Sequence, residues 1–201
     1  MNVMGLIQLC QSAHPGGYGY VLGVEQMARS GQLTTPEQLE ALVQTVLQSR
    51  IAPSDGVATG IAFRAARTGE FEQLPALCAS LAGLPPAMRM ASLHMGQRLW
   101  GISRDWDWAA GIHQQLDGIA GKTELHHAVA FGTLVSETTS SQIRAIATYL
   151  FNAARGIILS AINAIPLDEL TGQQVLASVQ PAITQLAAAC ADKSPADILV
   201  L

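Results

Sequence analysis

Ile143-Arg144-Ala145-Ile146-Ala147-Thr148-Tyr149-Leu150-Phe151-Asn152-Ala153-Ala154-Arg155-Gly156-Ile157-Ile158-Leu159-Ser160-Ala161-Ile162 is the stretch on which the fold class turns. Ile143, Ile146, Ala147, Leu150, Phe151, Ala154, Ile157, Ile158, Ala161 and Ile162 recur at steps of three and four, the repeat of one helix face. Arg144, Thr148, Asn152 and Arg155 line up on the opposite side. That side reads as the solvated face of a helix, or as one that meets an acidic partner. No period-two alternation is present, so a strand is the wrong reading. Arg144, Asn152, Arg155 and Asn163 also argue against a membrane span, because such groups are costly at bilayer depth. Pro166 is expected to end the helix, since proline lacks the backbone donor and clashes with the preceding turn.

The same periodicity extends in both directions. Downstream, Thr171-Gly172-Gln173-Gln174 has the capping-box pattern and is expected to open a helix. Val175, Leu176, Val179, Ile183, Leu186, Ala187 and Cys190 form its apolar face, and Pro181 predicts a kink. Upstream, Thr35-Pro36-Glu37-Gln38 combines an N-cap, a proline at the first helical position and a capping box. Leu39, Leu42, Val43, Val46, Leu47 and Ile51 continue that helix, and Pro53-Ser54-Asp55 is expected to end it and start another through Val57, Ile61 and Ala65. A short helix is expected over Leu74 to Leu81, then a break at Gly83 and Pro85-Pro86. Further helices should run through Met88, Leu93 and Leu99, and from Trp106 to Leu116 before a loop at Gly118–Lys122. Without repeats or linkers, residues 1–201 read as a single all-α domain, a bundle of roughly 8–10 helices.

Composition narrows the function. The chain is 49% hydrophobic and 13% charged, roughly half the usual charged fraction. So few charges cover a monomer of 201 residues poorly, which predicts that apolar surface meets other protein. The net charge is −4 and no Lys/Arg cluster occurs, so neither nucleic acid nor an anionic membrane is an expected partner. Cys10, Cys78 and Cys190 are odd in number and set among apolar neighbours, as in a reduced cytoplasmic protein. The N-terminus carries no positive region of a secretory signal.

Gly16-Gly17-Tyr18-Gly19-Tyr20 and Gly23 close an uncharged run that ends at Glu25, the first charged residue. Exposed apolar surface is costly, so such a segment is either folded into a core or held against a partner. Its glycines are not a nucleotide loop: Leu22 stands where a dinucleotide fingerprint wants glycine, and no Gly-Lys-Ser/Thr follows. His126 and His127 are neighbours whose side chains diverge by about 100° on a helix. His14, His94 and His113 have no Cys, Asp or Glu at ligand spacing. No nucleophile turn is present and carboxylates are scarce. The residues therefore predict no catalytic group, no metal site and no cofactor. Trp100, Trp106 and Trp108 read as packing anchors, and Arg98, beside Gly96, as a partner contact or a solvated charge.

Three segments resemble the UreF family of urease accessory proteins. Gly16-Gly17-Tyr18-Gly19-Tyr20-Val21-Leu22-Gly23-Val24-Glu25 resembles its Gly-Gly-Phe-Ser-Tyr-x-x-Gly-Leu-Glu signature. Arg89-Met90-Ala91-Ser92-Leu93-His94-Met95-Gly96-Gln97-Arg98-Leu99 resembles its Arg-x-Ala-Ser-x-x-Met-Gly-x-x-Leu helix. His126-His127-Ala128-Val129-Ala130-Phe131-Gly132 is similar to its His-x-x-Val-x-Phe-Gly block. Tyr149-Leu150, Ile165-Pro166-Leu167 and Gly172-Gln173 follow in the family's order, so the likeness runs from about residue 6 to about residue 190. His14-Pro15 replaces the family's residues before the glycines, and Asn163 stands at its arginine.

The resemblance implies an all-α, cytoplasmic homodimer with no catalytic residues of its own. It implies a scaffold that recruits the UreG GTPase and the UreD (UreH) accessory protein for nickel insertion into apo-urease, and that modulates GTP hydrolysis. Nickel is then handled by the complex. Gly16, Gly17, Tyr18, Tyr20, Gly23 and Glu25 become candidate partner contacts, as do Gly96 and Arg98. The alternative is a direct nickel-binding metallochaperone that uses its histidines.

Overall fold

The computed structural model describes residues 1–12, 19, 22–120, 124–164 and 167–200, with only the backbone of Asp117, Ile119 and Ala120. Among these residues the regular structure is helical throughout, with no strand. In chain order the α-helices are α1 (Val3–Ser12), α2 (Val24–Arg29), α3 (Pro36–Val46), α4 (Val57–Thr68), α5 (Leu74–Ser80) and α6 (Pro86–Ile102). They continue as α7 (Ala110–Ala120), α8 (His127–Val135), α9 (Gln142–Ile162), α10 (Glu169–Ser178) and α11 (Gln180–Ala191).

α8 is the centre of the bundle. All nine of its residues are buried, as expected of a helix that is apolar around its whole circumference. α4 and α6 pack on it directly, and α9 closes a further side while also holding α4 and α11. In α9, Ile146, Leu150, Ala154, Ile157, Ile158 and Ala161 face the core, whereas Arg144 and Arg155 are exposed. Ile143 departs from the expected stripe and stands exposed at the first turn. By length and composition α9 could cross a membrane, yet most of its apolar window is buried inside the bundle. It is a core helix.

The Thr35 cap forms as the sequence dictates. The Gln38 backbone N–H donates to Thr35 Oγ1 at 3.3 Å, and the Thr35 N–H donates to Gln38 Oε1 at 3.2 Å. Four expected boundaries shift. Pro53 does not end a helix, because α3 and α4 are joined without a break by a π-helical segment, Leu47–Gly56, that contains Pro53. A π turn spaces its hydrogen bonds wider than an α turn and so tolerates a residue with no N–H. Thr171 does not open a helix. Asp168 caps α10 one turn earlier, accepting the Thr171 N–H at 2.7 Å, because aspartate is as good a cap as threonine and comes first. Pro181 kinks nothing. α10 stops at Ser178 and the proline sits in the first turn of α11, where its missing donor is harmless. Trp106 precedes α7 in two 3-10 turns, Ser103–Asp105 and Asp107–Ala109, and α7 itself continues to Ala120, past the start of the expected loop. Pro166 lies outside the described residues; α9 ends before it, at Ile162.

Candidate functional site

Of the residues singled out in the N-terminal segment, Gly16, Gly17, Tyr18 and Tyr20 lie outside the described residues, as does His14. Gly19 is buried against α9, where an added Cβ would collide with the Ser160 side chain. Gly23 has φ +67°, a left-handed conformation that favours glycine, and it starts α2. Val24 is fully buried, while Glu25 is exposed and pairs with Arg29 at 3.2 Å. An exposed i, i+4 pair of this kind adds little stability. Gly19 thus lies on α9, Val24 is folded into the core, and Glu25 turns outward.

Gly96 and Arg98 point to opposite sides of α6. Gly96 is buried, and the Leu125 carbonyl occupies the place of a Cβ, with the backbone of His126 and His127 also within 2.8 Å of it. Glycine therefore lets α6 lie directly on the chain entering α8. Arg98 is exposed. α2 packs on α9 and α6 on α8, so these candidates form two separate regions.

A buried polar chain, invisible in the sequence, links four elements. Tyr149 of α9 donates its hydroxyl to Asp55 Oδ2 at 3.0 Å, and Asp55 lies in the π-helical segment. The Tyr149 oxygen lies 3.2 Å from His127 Nδ1. Because the single tyrosine proton goes to the carboxylate, His127 Nδ1 must be the donor. Ser92 Oγ of α6 accepts the His127 backbone N–H at 3.2 Å and lies 3.1 Å from His126 Nδ1. It thereby satisfies one of the open donors at the start of α8. Burial pushes the His127 imidazole down to about 4. Burial first, then the nearby Arg89 charge, brings His126 to about 4 as well. Both rings are neutral at pH 7 and face different partners. His113 is a further buried histidine, 2.9 Å from Ser103 Oγ and with its ring 4.2 Å from that of Trp100, whereas His94 is exposed. Among the described residues no three His, Cys, Asp or Glu side chains converge to hold a metal ion.

Cys78 and Cys190 are buried and Cys10 half-buried, all as free thiols. Burial raises all three, with Cys190 pushed up to about 11. Trp100 and Trp106 are buried as packing anchors. Trp108 stacks on Trp106 with centroids 5.2 Å apart and donates to Gln8 Oε1 at 2.9 Å, clasping α1. The outer side of α1 is apolar: Val3, Met4 and Ile7 are all exposed. Composition predicts uncovered apolar surface without locating it; the i, i+4 spacing of Val3 and Ile7 is the local signal, not singled out in the sequence, that would have marked this side.

The sequence model of the family described as UreF matches residues 33–180. A protein named urease accessory protein UreF from Geobacillus kaustophilus is 27% identical over 184 residues, covering 90% of this chain and 80% of its own length. The protein of the same name from Paenarthrobacter aurescens is 29% identical over 182 residues, with 90% and 80% covered. The one from Kocuria rhizophila is 27% identical over 183 residues, with 89% and 77% covered. The family match runs from before α3 to the start of α11, and the chain belongs to UreF, a family of urease accessory proteins.

Proposed function

We propose that this protein is a scaffold for urease maturation: a cytoplasmic homodimer that recruits the UreG GTPase and the UreD (UreH) accessory protein so that nickel is inserted into apo-urease. Family membership carries this reading. The architecture supports it, because the polar groups at the centre of the bundle are engaged in packing the helices on one another. What the molecule offers outward is surface, including the apolar side of α1 and the exposed Arg98. Gly16, Gly17, Tyr18, Tyr20, Gly23 and Glu25 are the proposed N-terminal contacts. Modulation of GTP hydrolysis would follow from holding the GTPase, with no catalytic residue supplied by this chain.

Co-expression with UreG and UreD of the same organism tests the reading. Co-purification of all three, with restored activation of apo-urease, is the expected outcome, and the absence of any ternary complex would sink it. Equilibrium dialysis of the isolated protein against nickel tests the metallochaperone alternative. Tight binding that is lost on His94→Ala or His14→Ala would favour direct nickel carriage over scaffolding.

A further inference from the structure

We infer that the Asp55–Tyr149 hydrogen bond fixes the register of the π-helical segment, and that this register in turn latches the C-terminal segment Ser194–Val200 onto the bundle. The link is a single carbonyl. In an α-helix the Val57 N–H would bond the carbonyl four residues back, which belongs to Pro53. Here the Val57 N–H bonds the Ala52 carbonyl, five back, and the Ser54 carbonyl. The Pro53 carbonyl is left open, and the Leu199 N–H takes it at 3.0 Å. The neighbouring Ala52 carbonyl accepts the Cys190 thiol at 3.2 Å. The wide turn thus presents two adjacent acceptors to the last helix and the segment after it.

The rest of that segment rests on the bundle by side-on packing: the 3-10 turn Pro195–Asp197 lies on α4, and the Val200 side chain lies over Gly83. Ile198 and Val200 pack against the core from partly exposed positions, and Leu199 itself is 51% exposed. Arg64 secures the preceding turn, donating to the Ala191 carbonyl at 2.6 Å and the Lys193 carbonyl at 2.7 Å. Ser194 and Asp197 bond each other, and Lys193 Nζ lies 3.8 Å from Asp197 Oδ1, all within the exposed turn itself. Closing the π turns to α turns would aim the Pro53 carbonyl along the helix axis at the Val57 N–H and swing it off the line of the Leu199 N–H.

Asp55 is what opposes that change. It is the buried carboxylate within the segment, and its Oδ2 is fixed by a tyrosine anchored on another helix. A residue in a π turn lags the 100° advance of an α-helix, so a return to α register would swing Asp55 away from Tyr149. Buried polar groups are well suited to specifying one register among several. A core hydrogen bond therefore governs whether a terminal segment is docked or released.

Hydrogen–deuterium exchange on the full chain tests the coupling. Tyr149→Phe removes the hydroxyl and keeps the ring that packs edge-on against Phe131. Exchange in residues 47–57 and 194–200 should accelerate together by about tenfold relative to α5, the scale expected when one buried hydrogen bond is lost. Uniform acceleration everywhere, acceleration of only one of the two segments, or no change would each overturn the coupling. Asp55→Asn keeps an acceptor oxygen for the tyrosine and should leave both segments slow. If it loosens them as much as Tyr149→Phe does, the hydrogen bond does not set the register.

Discussion

The carbonyl of Leu125 occupies the position that a Cβ on Gly96 would need. The obstruction is backbone, flanked by the His126 carbonyl carbon and the His127 nitrogen, and cannot rotate aside as a side chain would. Gly96→Ala should therefore destabilise the protein by about 1–3 kcal/mol, the usual range for overpacking, despite alanine being the better helix former. Urea denaturation measures it. An unchanged midpoint would show that α6 can lift off the chain before α8.

Arg98, two residues on, should behave in the opposite way. It is exposed, so Arg98→Ala should leave stability within about 0.5 kcal/mol of the parent. Weaker capture of UreG or UreD by this variant, with the denaturation midpoint held, would identify a contact. Unaltered capture would make it an ordinary solvated charge.

The two buried histidines give stability a defined pH dependence. Their folded values, about 4, lie below the unfolded value of 6.5, so the unfolded chain binds more protons as pH falls. Stability is then full above about pH 6.5 and declines between there and about pH 4. For His127 alone the loss across that window is on the order of 3 kcal/mol. Denaturation midpoints taken from pH 7.5 down to 4.5 should fall steadily; a flat profile would mean that the rings ionise freely in the folded state.

Asp168, rather than Thr171, should carry the start of α10. Its carboxyl is held below the usual carboxylate range by hydrogen bonds from Thr171. Asp168→Ala should lower the urea midpoint measurably, as loss of a helix cap does, and Thr171→Ala should lower it less. The reverse order would restore the later boundary that the capping-box pattern suggests.

On α1, Met4→Ser and Ile7→Ser together should leave the fold intact, because both side chains face outward. If that side docks protein, the double variant should lose partner capture or self-association in sedimentation. Retention of both would assign docking elsewhere.

Local signals were legible in the sequence and tertiary ones were not. The Thr35 cap and the stripes of α3 and α9 depend on neighbours within a turn, and they form as read apart from Ile143, which the first turn of α9 leaves exposed. Pro53, Thr171 and Pro181 are valid punctuation whose meaning depends on what lies nearby: a π turn supported from α9 and α11, a better cap three residues upstream, a helix already ended. α8 has no amphipathic period to find, because every side is covered. The chain from Asp55 through Tyr149 to His127, with Ser92 beside it, joins residues far apart in sequence and has no spacing rule. The uncharged N-terminal glycine run is conspicuous by composition, the resemblance makes it and Gly96 candidate contacts, and only geometry separates the packing role of Gly96 from the outward position of Arg98.

The clasp of Trp108 on Gln8 has an optical consequence. All three tryptophans fall between residues 100 and 108, and two of them stack where the 3-10 turns meet α1. Intrinsic fluorescence is therefore a local lamp on one seam, while far-ultraviolet dichroism averages over every helix. Wherever α1 lifts to greet another molecule, the emission will shift before the helical signal moves.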